Sequence, residues 1–358
     1  MNVLFVTAHP AQIHHFNAVK KELEKRGHNV FWLATNKDIS LYLLEHFGIK
    51  YDLLRRPSKN FWSKVKTFFV NYHRTSLAIK KYGIDFVITR IYPPSVLAAF
   101  MHRKKQIGLT DTEITGIYNT IFSRFVGSVM TGKSFRINLV RKQIRYAGNI
   151  ELFYLHPNRF VSQAPYPLLK ISPEDRYAVL RFVSWNAYHD AGLMEGFSDQ
   201  QKIRLVQELS KFVKVFISSE KTLPAELEPY RISIPLERMH DVLHYADLFI
   251  GESATMASES VVLGSPAIYV DEVGRGYTDE ECEKGLLYMF HPEQQEEIIA
   301  KAKDIVSPMF DHADYEKRHA NFISEVMDPT AWLVWYIENY PSSKRTMCEN
   351  PDYQYNFR

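Results

Sequence analysis

Tyr245 to Asp271 reads YADLFIGESATMASESVVLGSPAIYVD. The apolar run Leu248-Phe249-Ile250 predicts a strand over 247–251 that stops at Gly251. Ser253, Ala254 and Thr255 put small side chains at the start of a helix predicted over 255–263. Gly264 and Pro266 then turn the chain into a second strand, 267–271. Strand, tight turn, helix, glycine stop, strand is the repeating unit of a parallel sheet. The first N–H groups of the helix and the positive end of its dipole share the space beyond the turn, so a diphosphate could be held there without a lysine. Glu259 lies four residues after Thr255, one turn along the same face, where a carboxylate can accept two hydroxyls, as from a ribose. A plain αβ crossover needs only a Ser or Thr cap. The ordered set Ser253, Ala254, Thr255, Glu259 and Leu263-Gly264-Ser265-Pro266 is more demanding than that.

Upstream, Tyr177 to Val183 reads as a strand, 184–196 as its loop, and 199–212 as a helix capped by Ser198. Strands over 213–218 and 231–234 and a helix over 237–245 lead back to the opening segment. The chain start repeats this logic. Val3-Leu4-Phe5-Val6 is a strand and Thr7-Ala8-His9-Pro10 a loop. Ile13, Phe16, Val19 and Leu23 recur at helical spacing, Gly27 ends that helix, and 30–34 is the next strand. Further strands are expected at 85–89 and 106–109. Pro157, Pro165, Pro167 and Pro173 mark a linker within 150–176. A last helix is expected over 331–339, followed by a polar, irregular tail after Pro341. The fold class is α/β, with two doubly wound, Rossmann-like parallel-sheet domains: 1–165 and 175–330, with 331–358 as a closing helix and tail.

The 358 residues suit two domains, and 46% hydrophobic with 24% charged residues is an ordinary globular balance. Two cysteines exclude a disulfide framework and fit a reducing cytosol. The start MNVLFVTAHP lacks the basic region and long apolar run of a signal peptide, and no window resembles a membrane-spanning helix, so a cytoplasmic protein is expected. The net charge of +3 conceals an asymmetry. Residues 1–150 hold 24 Lys and Arg against 8 Asp and Glu, whereas 151–358 hold 20 against 33. A basic half suggests an anionic partner. The aromatic, lysine-rich stretch 59–82 (Phe61, Trp62, Phe68, Phe69, Lys64, Lys66) reads as a helix that either packs on the first sheet or meets an anionic membrane from the cytoplasmic side. RINLVRKQIR, 136–145, is a second basic cluster. No zinc finger, RNA-recognition signature, Walker A loop or GxGxxG supports a nucleic-acid, ATPase or dinucleotide reading.

Other positions belong to loops that follow strands, where open α/β sheets bind ligands. His9 is there either as a base or phosphate contact, or as a helix cap. His14 and His15 follow it, but no nearby carboxylate or cysteine completes a metal site, and none is assigned. Asp111 and Glu113, two residues apart at a strand end, could do acid–base work or cap the next helix. Ser184, Asn186 and His189 occupy the matching loop of the second domain, with Asp190 placed to orient His189.

The 251–266 segment resembles the donor-site signature of GT-B nucleotide-sugar enzymes, such as the GlcNAc transferase that forms lipid II and the non-hydrolysing UDP-N-acetylglucosamine 2-epimerases. In those enzymes the small-residue turn binds the diphosphate and the helix glutamate the ribose. The matching positions here are Gly251, Ser253, Ala254, Thr255 and Glu259. A still closer similarity, over most of 1–330, is to the domain of unknown function 354. It is carried by TAHPAQIHHF, TDTE at 110–113, RFVSWNAYHDAG at 181–192 and the 251–266 segment. The resemblance implies two domains facing a cleft, a final helix that crosses back, and a carboxylate near Asp111 that moves a proton in the epimerases. It also implies a nucleotide-sugar substrate, UDP favoured, with no cofactor. A glycosyltransferase of cell-surface glycan synthesis acting on a glycan or lipid-linked acceptor is the leading expectation. A 2-epimerase or a non-catalytic nucleotide-sugar binder are the alternatives.

Overall fold

The computed structural model of the chain describes residues 1–37, 39–56, 60–113, 116–139, 143–183, 196–219 and 222–358. It forms two compact units, Met1–Arg159 with Glu325–Arg358, and Phe160–Ser324. The junction after Arg159 lies within 150–176, and the closing segment Glu325–Arg358 belongs to the first unit.

The first unit runs β1 (Asn2–Thr7), α1 (Pro10–Lys25), β2 (Asn29–Thr35), α2 (Ser40–His46), β3 (Asp52–Leu54), α3 (Phe61–Lys81), β4 (Phe86–Thr89), α4 (Pro93–Met101), β5 (Lys105–Leu109), α5 (Gly116–Phe122), β6 (Ser128–Gly132), β7 (Gln143–Tyr146) and α6 (Leu152–Leu155). All pairings in the sheet β3-β2-β1-β4-β5-β6-β7 are parallel. Such a sheet is covered on both faces, and β1 shows it residue by residue. Val3 and Phe5 enter one core with Ile13, Phe16 and Trp332; Leu4 and Val6 enter the other with Ile79, Ala98 and Ala99. α1 and α2 thus cover one face, α3 and α4 the other.

The second unit runs α7 (Tyr166–Leu169), β8 (Tyr177–Phe182), α8 (Asp199–Leu209), β9 (Lys214–Ser219), α9 (Met239–His244), β10 (Leu248–Gly251), α10 (Ala254–Leu263), β11 (Ala267–Val270), α11 (Gly276–Glu283), β12 (Leu287–Phe290), α12 (Gln295–Val306) and α13 (His312–Glu325). Its sheet, β12-β11-β10-β8-β9, is also wholly parallel. Ser198 caps α8 in a reciprocal capping box with Gln201, and Gly264 ends α10 at φ 93, a left-handed residue that glycine adopts without a Cβ penalty.

Two expectations fail. Residues 231–234 make one bridge, Ile217 to Arg231, and no strand. Short 3-10 turns at Glu228–Tyr230 and Leu236–Arg238 flank them, Pro235 lacks a donor, and the Arg231 guanidinium bonds Glu228 instead. The tail is ordered, not irregular. After α14 (Pro329–Glu338) come α15 (Ser342–Glu349) and a 3-10 stretch, Pro351–Phe357. Tyr353 and Phe357 stack on Trp335 with ring centroids 4.9 and 5.3 Å away, and Gln354 accepts the Ala147 N–H. Aromatic contacts secured a segment whose composition read as polar. Among the described residues no helix is long and apolar enough to cross a membrane.

α14 is sealed into the first core. Buried Asp328 accepts the N–H groups of Thr330 and Ala331 at 3.0 Å and pairs with Arg159 at 2.6 Å. Trp332 is fully buried against Tyr146 and Tyr336. Replacing Trp332 by Ala should lower stability by about 3–5 kcal/mol in urea unfolding, as truncation of large buried aromatics does; a loss within noise would show that the closing helix does not hold the first sheet. Gly251 is equally constrained. A Cβ there would lie 2.8 Å from Arg181 Cβ and 2.9 Å from the Arg181 carbonyl oxygen. Gly251→Ala should therefore cost about 1–3 kcal/mol by overpacking, measured by the same unfolding, and an unchanged midpoint would mean that β8 and β10 can move apart.

Candidate functional site

In a doubly wound sheet the strand order reverses at one gap, and the loops leaving the two strands there diverge to opposite faces. The crevice between their carboxyl ends is where ligands bind. In the second sheet the reversal lies between β8 and β10, which pair Gly251 with Arg181. Of the donor residues expected from the sequence, Gly251 ends β10 at that gap, and Ser253, Ala254, Thr255 and Glu259 follow it. Ser253 is the N-cap of α10 and its Oγ accepts the Met256 N–H at 3.3 Å. The N–H groups of Ala254 and Thr255, in the first turn, have no carbonyl within the helix to bond. Glu259 is buried in α10, and His240 of α9 donates Nε2–H to its Oε1 at 3.0 Å. The edge of the Phe160 ring rests against His240. Ser184, Asn186 and His189 lie outside the described residues.

Three features of this edge were not foreseen. Buried Glu252 receives the N–H groups of Val183 at 2.9 Å and Phe197 at 2.7 Å. It thus anchors the residues on both sides of 184–195 next to the cap of α10. His240 was missed because it is 19 positions from Glu259 and meets it only through helix packing. After β11, the Tyr269 hydroxyl bonds Asp271, and Arg275 donates to the Tyr269 oxygen at 2.5 Å and pairs with Asp271 at 3.4 Å. Burial holds the Tyr269 phenol protonated far above its ordinary range. A polar set follows β11 as well as β10, on neighbouring parallel strands.

In the first sheet the reversal lies between β1 and β4. His9 follows β1, and its Nδ1 accepts the Ala11 N–H at 3.3 Å as the N-cap of α1. In the neutral ring that bond places the proton on Nε2, making the exposed edge of His9 a donor rather than a base. Arg90 follows β4 and was not singled out in the sequence. It forms an ion pair with Asp111 and donates to His15 Nδ1 at 3.3 Å. Thr112 also donates to Asp111, at 2.8 Å. His15 is buried, and its Nε2 has no partner among the described residues. Burial first, then Arg90, His14 and His9, hold His15 well below the ordinary histidine value, so the ring is neutral. Ile91, next to Arg90, has φ 48, an unusual backbone for a β-branched residue. Its side chain occupies space that a Cβ on Gly108 would enter, at 2.9 Å. Glu113 turns away from Asp111 to accept the Arg136 N–H at 3.1 Å. The His14 ring packs edge-on against Phe47 and at a tilt against Tyr154. Among the described residues no group of three His, Cys, Asp or Glu could hold a metal ion. Arg145, part of the second basic cluster, is engaged by the carbonyls of Lys133 and Ile137.

No protein-family model and no curated protein sequence matches this chain. The resemblance to the domain of unknown function 354 therefore rests on its motifs alone. Solved structures do match. S. aureus MnaA with UDP is 13% identical, with 96% of this chain and 97% of that chain covered and a TM-score of 0.68. The UDP-GlcNAc 2-epimerase from Methanocaldococcus jannaschii is 12% identical, covering 88% and 98%, with a TM-score of 0.62. CalG4, the calicheamicin glycosyltransferase, is 12% identical, covering 95% and 98%, with a TM-score of 0.60. At such identities the likeness is one of fold, and that fold is the GT-B-type α/β architecture of two doubly wound parallel sheets.

Proposed function

We propose that the chain is a nucleotide-sugar-dependent glycosyltransferase, with a UDP-type donor held by the second unit and the acceptor by the first. The observation that carries this reading is the start of α10 at the strand reversal. There the Ser253 hydroxyl occupies the Met256 N–H, while the Ala254 and Thr255 N–H groups have no carbonyl within the helix to bond, one turn before a buried carboxylate. A diphosphate set on those N–H groups gains negative charge as its bond to the sugar breaks. Donors already fixed in place stabilise that charge without reorganising. Glu259, oriented by His240, accepts ribose hydroxyls. In this reading Ser184, Asn186 and His189 contact the diphosphate or sugar. In the first unit, Asp111 or Glu113 takes the proton of an acceptor hydroxyl. His9, with its proton on Nε2, is better placed as a hydrogen-bond donor. No cofactor or metal is invoked. The basic balance of the first half favours an acceptor that is itself anionic, such as a phosphate-bearing glycan or lipid carrier.

A 2-epimerase would use the same donor residues and abstract a sugar proton. The pairing of Asp111 with Arg90 favours it, because a carboxylate clamped by a guanidinium is positioned for one defined proton transfer. It needs no acceptor, so it gives the charge of the first half no part in the reaction.

Thermal unfolding with UDP, GDP, CDP and dTDP should show stabilisation by one of them, roughly 2.7 kcal/mol at about 100 times its dissociation constant. Glu259→Ala should abolish the shift. His240→Asn should reduce it without lowering the melting temperature of the free protein to the same extent. No shift with any nucleotide would sink the donor-site reading. Asp111→Asn and Glu113→Gln separate the two bases: the true one should lose about 10²–10⁴-fold in turnover with donor affinity kept. Product formed from the nucleotide sugar alone, with no acceptor, would decide for the epimerase.

A further inference from the structure

The helical layer of α3, α4 and α5 is built the opposite way from an ordinary amphipathic layer. α3 turns inward Thr67, Asn71, Thr75, Ala78 and Ile79. Asn71 donates to the Tyr92 hydroxyl at 2.7 Å and Thr75 meets Ser95 at 2.9 Å, so polar bonds to α4 and its N-cap residue Tyr92 do much of the packing. The outward ridge, at helical spacing, is Trp62, Lys66, Phe69, His73, Leu77 and Lys80. Trp62 is 75% exposed and Phe69 63%. α4 adds Phe100 and Met101, the latter 65% exposed, and α5 adds Ile121. None of the three helices contains an Asp or a Glu, whereas α1, on the other face, carries Glu22 and Glu24. Between Leu53 and Ile84 there is no acidic residue at all. Past the end of α4, a groove of about 600 Å³ is lined by Arg103, Lys104, Lys105 and Arg124 with Phe100 and Phe125. Burial, then the charges of Lys80 and Lys104, hold the His102 ring below its ordinary value.

We propose that this outer face docks the protein on an anionic phospholipid bilayer, with Trp62, Phe69, Leu77 and Met101 entering the interface and Lys66, Lys80, Arg103 and Lys104 meeting headgroup phosphates. Exposed apolar surface rimmed by cations is the composition such an interface selects. A second copy of the chain fits less well, because a two-fold contact sets each patch against itself and would oppose two acid-free basic faces. Nucleic acid would use the cations but leaves Leu77, Met101 and Ile121 without a partner. The inference does not depend on the donor site.

The test is sedimentation of the full chain with sucrose-loaded vesicles of phosphatidylcholine alone or mixed in equal parts with phosphatidylglycerol. Binding should appear only with phosphatidylglycerol and weaken as salt rises. Lys66→Ala with Lys80→Ala should cut the partition coefficient about twenty-fivefold, taking roughly fivefold per surface lysine. Trp62→Ala with Phe69→Ala should cut it by at least about tenfold. Lys21→Ala with Lys25→Ala, on α1, should leave it unchanged. Because these side chains are exposed, unchanged circular dichroism and melting would show that the variants fold. The proposal is overturned by failure to bind phosphatidylglycerol vesicles, or by equal losses from the α1 and α3 lysine pairs. Binding indifferent to Trp62 and Phe69, a dimer in solution that the α3 substitutions dissolve, or displacement from vesicles by an oligonucleotide would overturn it equally.

Discussion

Gly251 lies against the backbone of Arg181 with no room for a Cβ, and this contact sets β10 beside β8 where the second sheet reverses its order. The placement of the residues that follow β10 depends on the approach. The next two residues do the remaining work: Glu252 reaches back to the N–H groups of Val183 and Phe197, and Ser253 opens α10. A wider gap would break the Glu252 bonds and rotate the first N–H groups of the helix off the crevice. The glycine thus acts through packing, one step before any ligand.

The two strand reversals are chemically unlike. At the second, the donors are mainly backbone N–H groups and a capped helix end, which suit a diffuse anionic charge and need no counter-ion. At the first, the groups are side chains in an ionic arrangement, Arg90 with Asp111 and neutral His15. Burial makes such an arrangement unforgiving. Removing one partner leaves the other charge uncompensated, at a cost larger than the pair itself contributes. The left-handed Ile91 beside Arg90 is strain of the kind that persists only where the surroundings over-determine it. An ion pair and a strained backbone at one strand end fix a side-chain direction. A helix terminus fixes a field.

What was legible in the sequence follows from the same physics. β10, α10 and β11 could be read because their strands are buried on both faces and so appear as unbroken apolar runs, with Gly251, Gly264 and Pro266 as punctuation. β1, α1 and β2 were legible for the same reason. β3 is three residues long, and β6 and β7 carry Ser128, Thr131, Gln143 and Arg145, so no apolar run announces them. Arg90 could have been found by a topological argument, since it follows β4 as His9 follows β1, but only once the strand order placed β4 beside β1. The partnership of His240 with Glu259 could not be read, because spacing along the chain carries no signal for contacts between two helices. The tail misled for a simpler reason: Lys, Arg, Ser and Asn between its aromatics hid Tyr353 and Phe357, whose stacking on Trp335 decides its conformation.

The charge asymmetry also gains a location. On α1 the cations are answered locally, Lys20 by Glu24 and Arg26 by Glu22 and Glu338. On α3, α4 and α5 no carboxylate is available in the helices themselves. Stability does not account for the difference. Exposed ion pairs contribute only about 0–1 kcal/mol each, so adding carboxylates to the α3 layer would alter folding little. Folding does not require exposed Trp62 and Phe69 either, because the inward side of α3 is already satisfied by Asn71, Thr75 and Ile79. Exposed Trp62 and Phe69 on helices without a carboxylate are the features that a partner outside the folded unit would account for.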